Sequence, residues 1–327
     1  MLAAKAEDLF RNSSLNELLS HAWRTRKINF PDSIDFYAPG FIHYNVGGYS
    51  NRSEDFPAIS ITGNACALDC DHCGKQLLGE MLPARTPKKL RELILTLSAS
   101  SAKGVLVSGG ADATGKVPLN KFLPTLKEIK EETDLLLAVH TGLVDKETAQ
   151  GLASSGVDVA LIDVLGDGET IKRIYHLDTP ASSYLDLLLH LKDAGVKTAP
   201  HIVMGLNYGL WSGEFQALEF IAKAKSEVLV LVGLMPFSGT PMDSTKPPSA
   251  DAMAKFVAVA RIVMPKIPIV LGCARPRQHK HILDPLSIEA GVNAVAHPAR
   301  EAHEKAKELG LAIDFKTVCC AEYALKV

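Results

Sequence analysis

The sequence predicts an α/β fold, a (β/α)8 TIM-type barrel, and two observations carry that prediction. Eight short apolar runs rich in β-branched residues recur from residue 57 onwards, and amphipathic or connecting segments separate them. The chain has 327 residues, which suits one large α/β barrel or two ordinary domains. The runs are residues 58–62, 104–108, 135–140, 157–163, 196–204, 228–234, 267–272 and 292–296. A doubly wound open sheet is the competing arrangement, because periodicity alone does not distinguish the two.

Helical patterns between the runs carry start and stop signals. Thr86 is a natural N-cap and Pro87 a natural first helical residue. Leu90 and Leu97 belong to an apolar stripe at helical spacing in the same segment. Gly195 stands where a left-handed C-terminal residue ends a later helix. Strand and helix signals therefore alternate, as a barrel requires.

The predicted barrel divides the chain into three parts. Residues 1–56 form an N-terminal helical extension that packs on the barrel, and residues 57–298 form the barrel. Residues 299–327 form a C-terminal helix and a cysteine-containing tail over the barrel mouth. Chemistry is expected at the mouth, where the carboxyl ends of the strands meet.

Composition narrows the class of function. A formal net charge of -2 gives no reason to expect nucleic acid or an anionic membrane as the main partner. The longest apolar stretches, such as residues 228–235, are far shorter than the roughly 20 residues of a membrane helix. The first residues carry acids and lack the basic start of a signal peptide. We therefore expect a cytoplasmic protein, in which clustered cysteines bind metal or react rather than form disulfides.

Three cysteines are crowded directly after the first predicted strand. Cys66, Cys70 and Cys73 have the spacing C-x3-C-x2-C. Structural zinc usually takes four protein ligands, and His72 lies too close to two of the cysteines to complete such a site. A [4Fe–4S] cluster held by three cysteines leaves one iron open to another ligand. The spacing therefore favours iron–sulfur over zinc or inert thiols.

In its place after the first barrel strand, the triplet resembles the hallmark of the radical S-adenosylmethionine (SAM) superfamily. Members bind SAM at the open iron, cleave it reductively and use the 5′-deoxyadenosyl radical to take hydrogen from unactivated carbon. Most have an aromatic residue just before the third cysteine, close to the adenine, and His72 stands there in this chain. The resemblance implies a [4Fe–4S] cluster on Cys66, Cys70 and Cys73, with SAM as the second cofactor.

The second strand is followed by Ser108, Gly109 and Gly110. A pair of glycines alone indicates no more than a tight turn. In this position the segment resembles the superfamily's Gly-Gly-Glu motif, whose backbone receives the SAM ammonium. The usual acid is missing, because Ala111 follows the glycines and Asp112 comes one place later.

Three further polar residues stand at predicted strand ends. By position, Asp163 is expected to contact the SAM ribose, and His140 or His201 to line the SAM pocket. A single histidine at a strand end is about as often a structural residue.

Four segments resemble biotin synthase, residues 138–163, 194–206, 235–241 and 290–298. That family holds a sulfur-donating cluster inside the barrel, on cysteines near the ends of the third and fifth strands. Ala138 and Ala199 occupy the corresponding places here, so that donor cluster cannot be built in this chain.

The other three cysteines lie elsewhere, at Cys273, Cys319 and Cys320. A tail over the barrel mouth would bring them together, and we expect an auxiliary iron–sulfur cluster on at least two of them. The alternatives are a small buried side chain for Cys273 and a frayed tail for the pair. Arg275 is a candidate fourth ligand, and Arg275 and Arg277 could instead bind a substrate carboxylate or form surface ion pairs.

Relocated auxiliary cysteines in a biotin-synthase-like barrel most resemble the two-component lipoyl synthases. The resemblance implies sulfur insertion at C6 or C8 of an octanoyl chain on a lipoyl carrier protein. It also implies a sister radical SAM subunit and an electron donor such as ferredoxin. Another radical SAM enzyme acting on a small molecule, of the mutase, methylase or cofactor-maturation type, is one alternative. A non-catalytic iron–sulfur or zinc scaffold is another.

Overall fold

The computed structural model describes residues 1–40, 42–100 and 102–327. Eleven strands form one sheet in which every neighbouring pair is parallel. The strands are β1 (Ser33–Tyr37), β4 (Ala58–Ser60), β5 (Leu82–Pro83), β6 (Gly104–Ser108), β7 (Leu136–His140), β8 (Val159–Asp163), β9 (Thr198–Met204), β10 (Leu229–Gly233), β11 (Ile269–Leu271), β12 (Ala294–Ala296) and β13 (Ala312–Lys316); β2 (Asn45–Val46) and β3 (Tyr49–Ser50) form a separate antiparallel hairpin.

The sheet order is β13-β1-β12-β11-β10-β9-β8-β7-β6-β4-β5. The sheet curls into a half-barrel, and Lys103 Nζ, just before β6, donates to Thr317 Oγ1, just after β13, at 2.7 Å. This bond links β13, at one edge of the sheet, to the start of β6, which lies two strands from the other edge. The α/β, TIM-type barrel expected from the sequence is confirmed, and all eight predicted strands are present.

Helices cover the outer face of the sheet. They are α1 (Leu2–Asn12), α2 (Leu15–Asn29), α3 (Gln76–Gly79), α4 (Pro87–Ala99), α5 (Leu123–Glu132), α6 (Lys146–Ser154), α7 (Gly168–Thr170), α8 (Ser182–Asp193), α9 (Glu214–Ala224), α10 (Ala250–Val263), α11 (Lys280–Glu289) and α12 (Arg300–Glu308). Short 3-10 turns span Asn120–Phe122, Arg277–His279 and Cys320–Lys326, and a π-turn spans Ile171–Tyr175. Thr86 caps α4 through Lys89 N, with Pro87 as its first residue. Among the described residues, no helix has the length and apolar character needed to span a bilayer.

The N-terminal extension contributes to the sheet as well as packing on it. Helices α1 and α2 lie against α9 and α10. Strand β1 inserts between β12 and β13. Its side chains alternate, with Ile34 and Phe36 in the core beneath the helices and Tyr37 in the core inside the barrel. This period of two is what a strand with helices on one side and a filled barrel on the other requires.

The C-terminal tail, residues 318–327, lies inside the barrel. Its 3-10 turn, Cys320–Lys326, contacts β8, β9 and β12, and its small residues pack in the interior core with Ala138 and Ala199. At the mouth, the Cys319 thiol interacts electrostatically with His140. At the opposite end, Lys197 Nζ, just before β9, donates to the carbonyl of Val327. The expectation that the tail covers the mouth is therefore wrong, because small inward-facing residues leave room for it within the barrel.

Polar contacts anchor the tail to the barrel interior. Tyr37 Oη lies 2.7 Å from Glu322 Oε2 and 3.1 Å from Asp35 Oδ2, so its proton is shared between two carboxylates. Lys326 forms an ion pair with Asp35, and Lys316 Nζ lies 3.3 Å from Glu322 Oε1. The buried carboxylates are thus matched by cations, as charges in an interior must be.

Candidate active site at the barrel mouth

The loop after β4 carries the first three cysteines. Left-handed backbone at Asp69, with φ of 50°, helps to turn this loop back on itself. The ligand atoms of Cys70, His72 and Cys73 all lie within 4.8 Å of one another. Cys66 is outside that set but interacts electrostatically with the Cys70 thiol. The loop therefore brings the thiols of the C-x3-C-x2-C motif together.

The donor set suits a soft metal centre. The Cys70 and Cys73 thiols share a hydrogen bond, which lowers the pKa of Cys73, with a further contribution from the charge of His72. The same hydrogen bond, together with burial, raises the pKa of Cys70. Three thiols on one loop, two of them already in contact, fit an iron–sulfur cluster with one iron left open.

Two orphaned polar atoms lie beside the cysteines. The His72 ring packs against Tyr175 with centroids 5.2 Å apart. His72 Nδ1 and Tyr175 Oη are both buried, and neither has a hydrogen-bond partner among residues 1–40, 42–100 and 102–327. Buried polar atoms without partners are rare and indicate a site built for a further group.

Segments after β8 and β9 hold the cysteine loop in place. Asp71 N donates to the carbonyl of Ile174 at 3.0 Å. Its carboxylate lies 3.0 Å from His176 Nε2 and accepts the Tyr208 hydroxyl at 2.6 Å. Sequence reasoning missed these contacts. The one available signal was that Asp71 lies within the motif and that Tyr208 follows a strand end.

The two glycines after β6 fit closely under the cysteine loop. A Cβ on Gly110 would lie 2.0 Å from the carbonyl oxygen of Ala65 and 2.5 Å from Cys66 Cβ. A Cβ on Gly109 would meet side-chain atoms of Thr62 at 3.1 Å. Gly110 N donates to Thr62 Oγ1 at 2.7 Å. Glycine at 110 is required because the backbone carrying a cysteine ligand passes directly over it.

Inside the mouth, Asp163 and two histidines form a titratable group, and Ser108 lies buried at the neighbouring end of β6. His140 Nε2 lies 3.8 Å from Asp163 Oδ2, and each side chain is about a third accessible, at 29% and 32%. Burial alone would raise the pKa of Asp163, but the nearby His140 imidazole lowers it to about 2. Burial likewise opposes charge on His140, yet Asp163 outweighs it and raises the pKa of His140.

His201 is the neutral member of this group. Its ring centroid is 6.4 Å from that of His140. Burial lowers the pKa of His201 to about 4. Its Nδ1 lies 2.8 Å from the carbonyl of Ala199, so Nδ1 carries the proton and Nε2 remains an acceptor. The mouth therefore offers one carboxylate, one imidazole whose pKa is raised by that carboxylate, and one neutral imidazole.

The remaining cysteines meet near the same mouth. Cys273 follows β11 and interacts electrostatically with Cys319 and Cys320. Burial raises the pKa of Cys273 although its side chain keeps accessible surface. A hydrogen bond between Cys319 and Cys320 lowers the pKa of Cys319 and raises that of Cys320. They converge less tightly than the first set, since in the described part of the chain only Cys70, His72 and Cys73 have ligand atoms within 4.8 Å.

The two arginines expected near this site have separate environments. Arg275 is 1% exposed and binds both carboxylate oxygens of Asp284, at 2.7 and 2.8 Å. It also donates to the Gly272 carbonyl at 2.6 Å. The expectation that Arg275 binds a substrate or a cluster is wrong, because its own chain occupies its donors. Arg277 is exposed and has no ion-pair partner in the described ranges.

Two family models match the chain. The Radical SAM superfamily matches residues 60–212, which include the cysteine loop and the strands carrying Asp163 and the two histidines. This part of the chain is a radical SAM domain. The Biotin and Thiamin Synthesis associated domain matches residues 231–317, which end just before the tail. Together the two matches identify a radical SAM enzyme that resembles biotin synthase, and this resemblance implies a [4Fe–4S] cluster and SAM as cofactors.

Known relatives and structures agree with this assignment. The chain is 23% identical over 304 residues to biotin synthase of Halorhodospira halophila, covering 86% of this chain and 88% of the relative. It is 26% identical over 246 residues to biotin synthase 2 of Polaromonas sp., covering 72% and 70%. Its fold is similar to that of methylornithine synthase (PylB), with a TM-score of 0.63 and 16% identity over 95% and 97% of the two chains. It is also similar to HydG, a maturase of the [FeFe]-hydrogenase, with a TM-score of 0.69 and 15% identity over 100% and 75%.

Proposed function

We propose that this radical SAM enzyme inserts sulfur into the octanoyl chain on a lipoyl carrier protein, in the manner of a lipoyl synthase. One observation carries the proposal: a second group of thiols, Cys273, Cys319 and Cys320, lies at the same mouth as the cysteine loop. Ala138 and Ala199 leave no thiol at the places where biotin synthase holds its donor cluster. Sulfur chemistry in this chain therefore has to use the second group.

The chain's own residues divide the work between two sides of the mouth. When bound, the two iron–sulfur groups and SAM supply the electron, the radical and the sulfur, while the protein positions them and excludes water. Backbone carbonyl groups at Gly109 and Gly110 would receive the SAM ammonium, and Asp163, whose low pKa keeps it ionised at neutral pH, would accept a ribose hydroxyl. His72 offers a flat ring to the adenine.

The filled barrel confines the reaction to the mouth. Cys320, Ala321 and Ala324 pack in the interior core, so a substrate cannot pass below the layer of His140 and Cys319. A closed floor keeps water and stray hydrogen donors away from a carbon radical. An acyl chain entering from the mouth would end between the two groups of thiols.

A test of the proposal uses anaerobically reconstituted protein with SAM, a reductant and an octanoyl-lysyl peptide. We expect about eight irons per chain, 5′-deoxyadenosine, and a mass increase from added sulfur. The variant Cys273→Ser with Cys319→Ser should keep SAM cleavage, lose about half of the iron and lose sulfur insertion. The matched variant Cys70→Ser should lose SAM cleavage itself.

A radical SAM enzyme with one cluster that modifies a small molecule is the second candidate. It is favoured by the looser convergence of the second group of thiols. About four irons per chain, with 5′-deoxyadenosine but no sulfur in any product, would favour this candidate. We further propose that an electron carrier such as ferredoxin and a sister radical SAM subunit act with the chain, which pull-down under anaerobic conditions can test.

A further inference from the structure

An open cavity of about 480 Å³ lies beside the mouth, away from the cysteine loop. Its volume is in the range of small-ligand sites. Its walls come from the segment after β1, the start of α11 and the segment after β12. Its apolar lining includes Ile42, Tyr44, Val46, Pro298 and Ala299. A wall of this chemistry fits an aliphatic chain.

The surface around the cavity is basic. In the sequence, the segments 38–53, 273–283 and 293–300, which contain its lining residues, have no acidic residue, although the chain has 37 of them among 327 residues. Lys280 and His43 line the cavity, and Arg277 and His281 are exposed in the same segment as Lys280. We call His43, Arg277, Lys280 and His281 the basic rim.

The charges of the basic rim are not neutralised by the protein itself. Arg277 and His281 have no ion-pair partner within the residues that the structure describes. Asp284, the nearest acid along the chain, is fully buried and paired with Arg275. Lys280 Nζ donates to the His297 carbonyl at 2.5 Å, which fixes its position without cancelling its charge. Arg277 and Lys280 therefore give this surface positive charge, which a negatively charged occupant would complement.

The cavity is connected to the second group of thiols. The Lys280 ammonium interacts electrostatically with Cys273, which is four residues before Arg277. A chain held in the cavity would therefore have one end close to Cys273.

We propose that the cavity takes an aliphatic chain presented by a carrier protein with an acidic docking face, and that the basic rim binds that face. The inference rests on the proposed function and deepens it. Rim residues come from two separate segments, with His43 after β1 and the others after β11. Such an arrangement matches a protein surface better than a single small anion.

The test compares two charge-reversal variants of the same composition. Arg277→Glu with His281→Glu changes the basic rim, and Arg24→Glu with His21→Glu changes an exposed face of α2 by the same charge. The measured quantity is the Kd for an octanoylated lipoyl carrier domain at low and at moderate salt. The rim variant should raise this Kd by at least about tenfold and flatten its salt dependence. The α2 variant should stay within about twofold of wild type.

A third variant tests the cavity separately. Val46→Trp fills it from the hairpin side and should weaken binding of the octanoylated carrier while leaving the unacylated carrier unaffected. Circular dichroism and iron content check that each variant is folded. The proposal is overturned if the two charge-reversal variants behave alike, or if a free octanoyl-lysyl peptide binds as tightly as the carrier domain.

The outcome also separates this inference from the proposed function. If wild type forms a sulfur-containing product but the rim variant binds the carrier normally, the function stands and the docking surface is wrong. If the rim controls carrier binding but wild type adds no sulfur, the docking surface stands and the function is wrong.

Discussion

The contact between Gly110 and the cysteine loop gives the sharpest prediction, for the substitution Gly110→Ala. The added Cβ would lie 2.0 Å from the Ala65 carbonyl oxygen and 2.5 Å from Cys66 Cβ. Carbon atoms pack best at about 3.5 to 4.0 Å, so the loop would have to move by about 1 Å or more. These two atoms are a backbone oxygen of Ala65 and the Cβ of Cys66, and neither can be moved by rotating a side chain. We expect a loss of about 1–3 kcal/mol in the free energy of unfolding.

Displacement of Cys66 should also reduce metal loading. Iron per chain after anaerobic reconstitution measures it, and urea unfolding of the metal-free protein measures the stability loss independently. Gly109→Ala is the matched control, because its Cβ would meet side-chain atoms of Ile61 and Thr62 at 3.1 Å, which can shift by a few tenths of an ångström. Equal iron content and equal stability in the two variants would refute the reasoning.

Three further predictions concern the buried polar groups. Asp284→Asn leaves the Arg275 guanidinium buried without its carboxylate and should cost about 3–5 kcal/mol in urea unfolding. Burial raises the pKa of Glu214 to about 7 from its ordinary 4.5, so the folded protein holds a proton that the unfolded chain releases in that interval. The free energy of unfolding should therefore fall by about 2 kcal/mol from pH 5 to pH 7.5, relative to Glu214→Gln, in urea titrations at the two pH values. Tyr37→Phe removes the hydroxyl shared with Glu322 and should cost about 1–3 kcal/mol, seen as faster proteolytic release of C-terminal peptides by mass spectrometry.

Most of the sheet could be predicted from the sequence, and two of the three missed strands, β1 and β13, share one reason. Strands buried on both faces read as continuous apolar runs, as the eight predicted ones do. Strands β1 and β13 instead have the sequences SIDFY and AIDFK, with an acid at the centre. They pair in register, with Asp35 opposite Asp314. An acidic residue in the middle of a short segment makes the sequence predict a loop rather than a strand, unless the cation that pairs with it is known. The cation that pairs with Asp35 is Lys326, almost 300 residues away along the chain.

The part of the site that could be predicted is the part determined by short spacings along the chain. Cys70 and Cys73 are three positions apart, and a turn between them brings their thiols together. The contact between Asp71 and Tyr208 joins residues 137 positions apart, and no local pattern encodes it. For Arg275 the sequence predicted a contact that the structure does not have. An arginine near a cysteine at a strand end suggests a ligand site, but in the fold this arginine is paired with Asp284.

The C-terminal tail links the barrel interior to the second group of thiols. Ala138 and Ala199 lack the thiols that biotin synthase would carry there, and the same small side chains leave the interior open to Cys320 and its neighbours. A larger side chain at either position would compete with the tail for that space, because barrel interiors are packed to the density of crystals. Small side chains at positions 138 and 199 and the cysteine-bearing tail therefore depend on each other, because the tail fills the space that larger side chains would take.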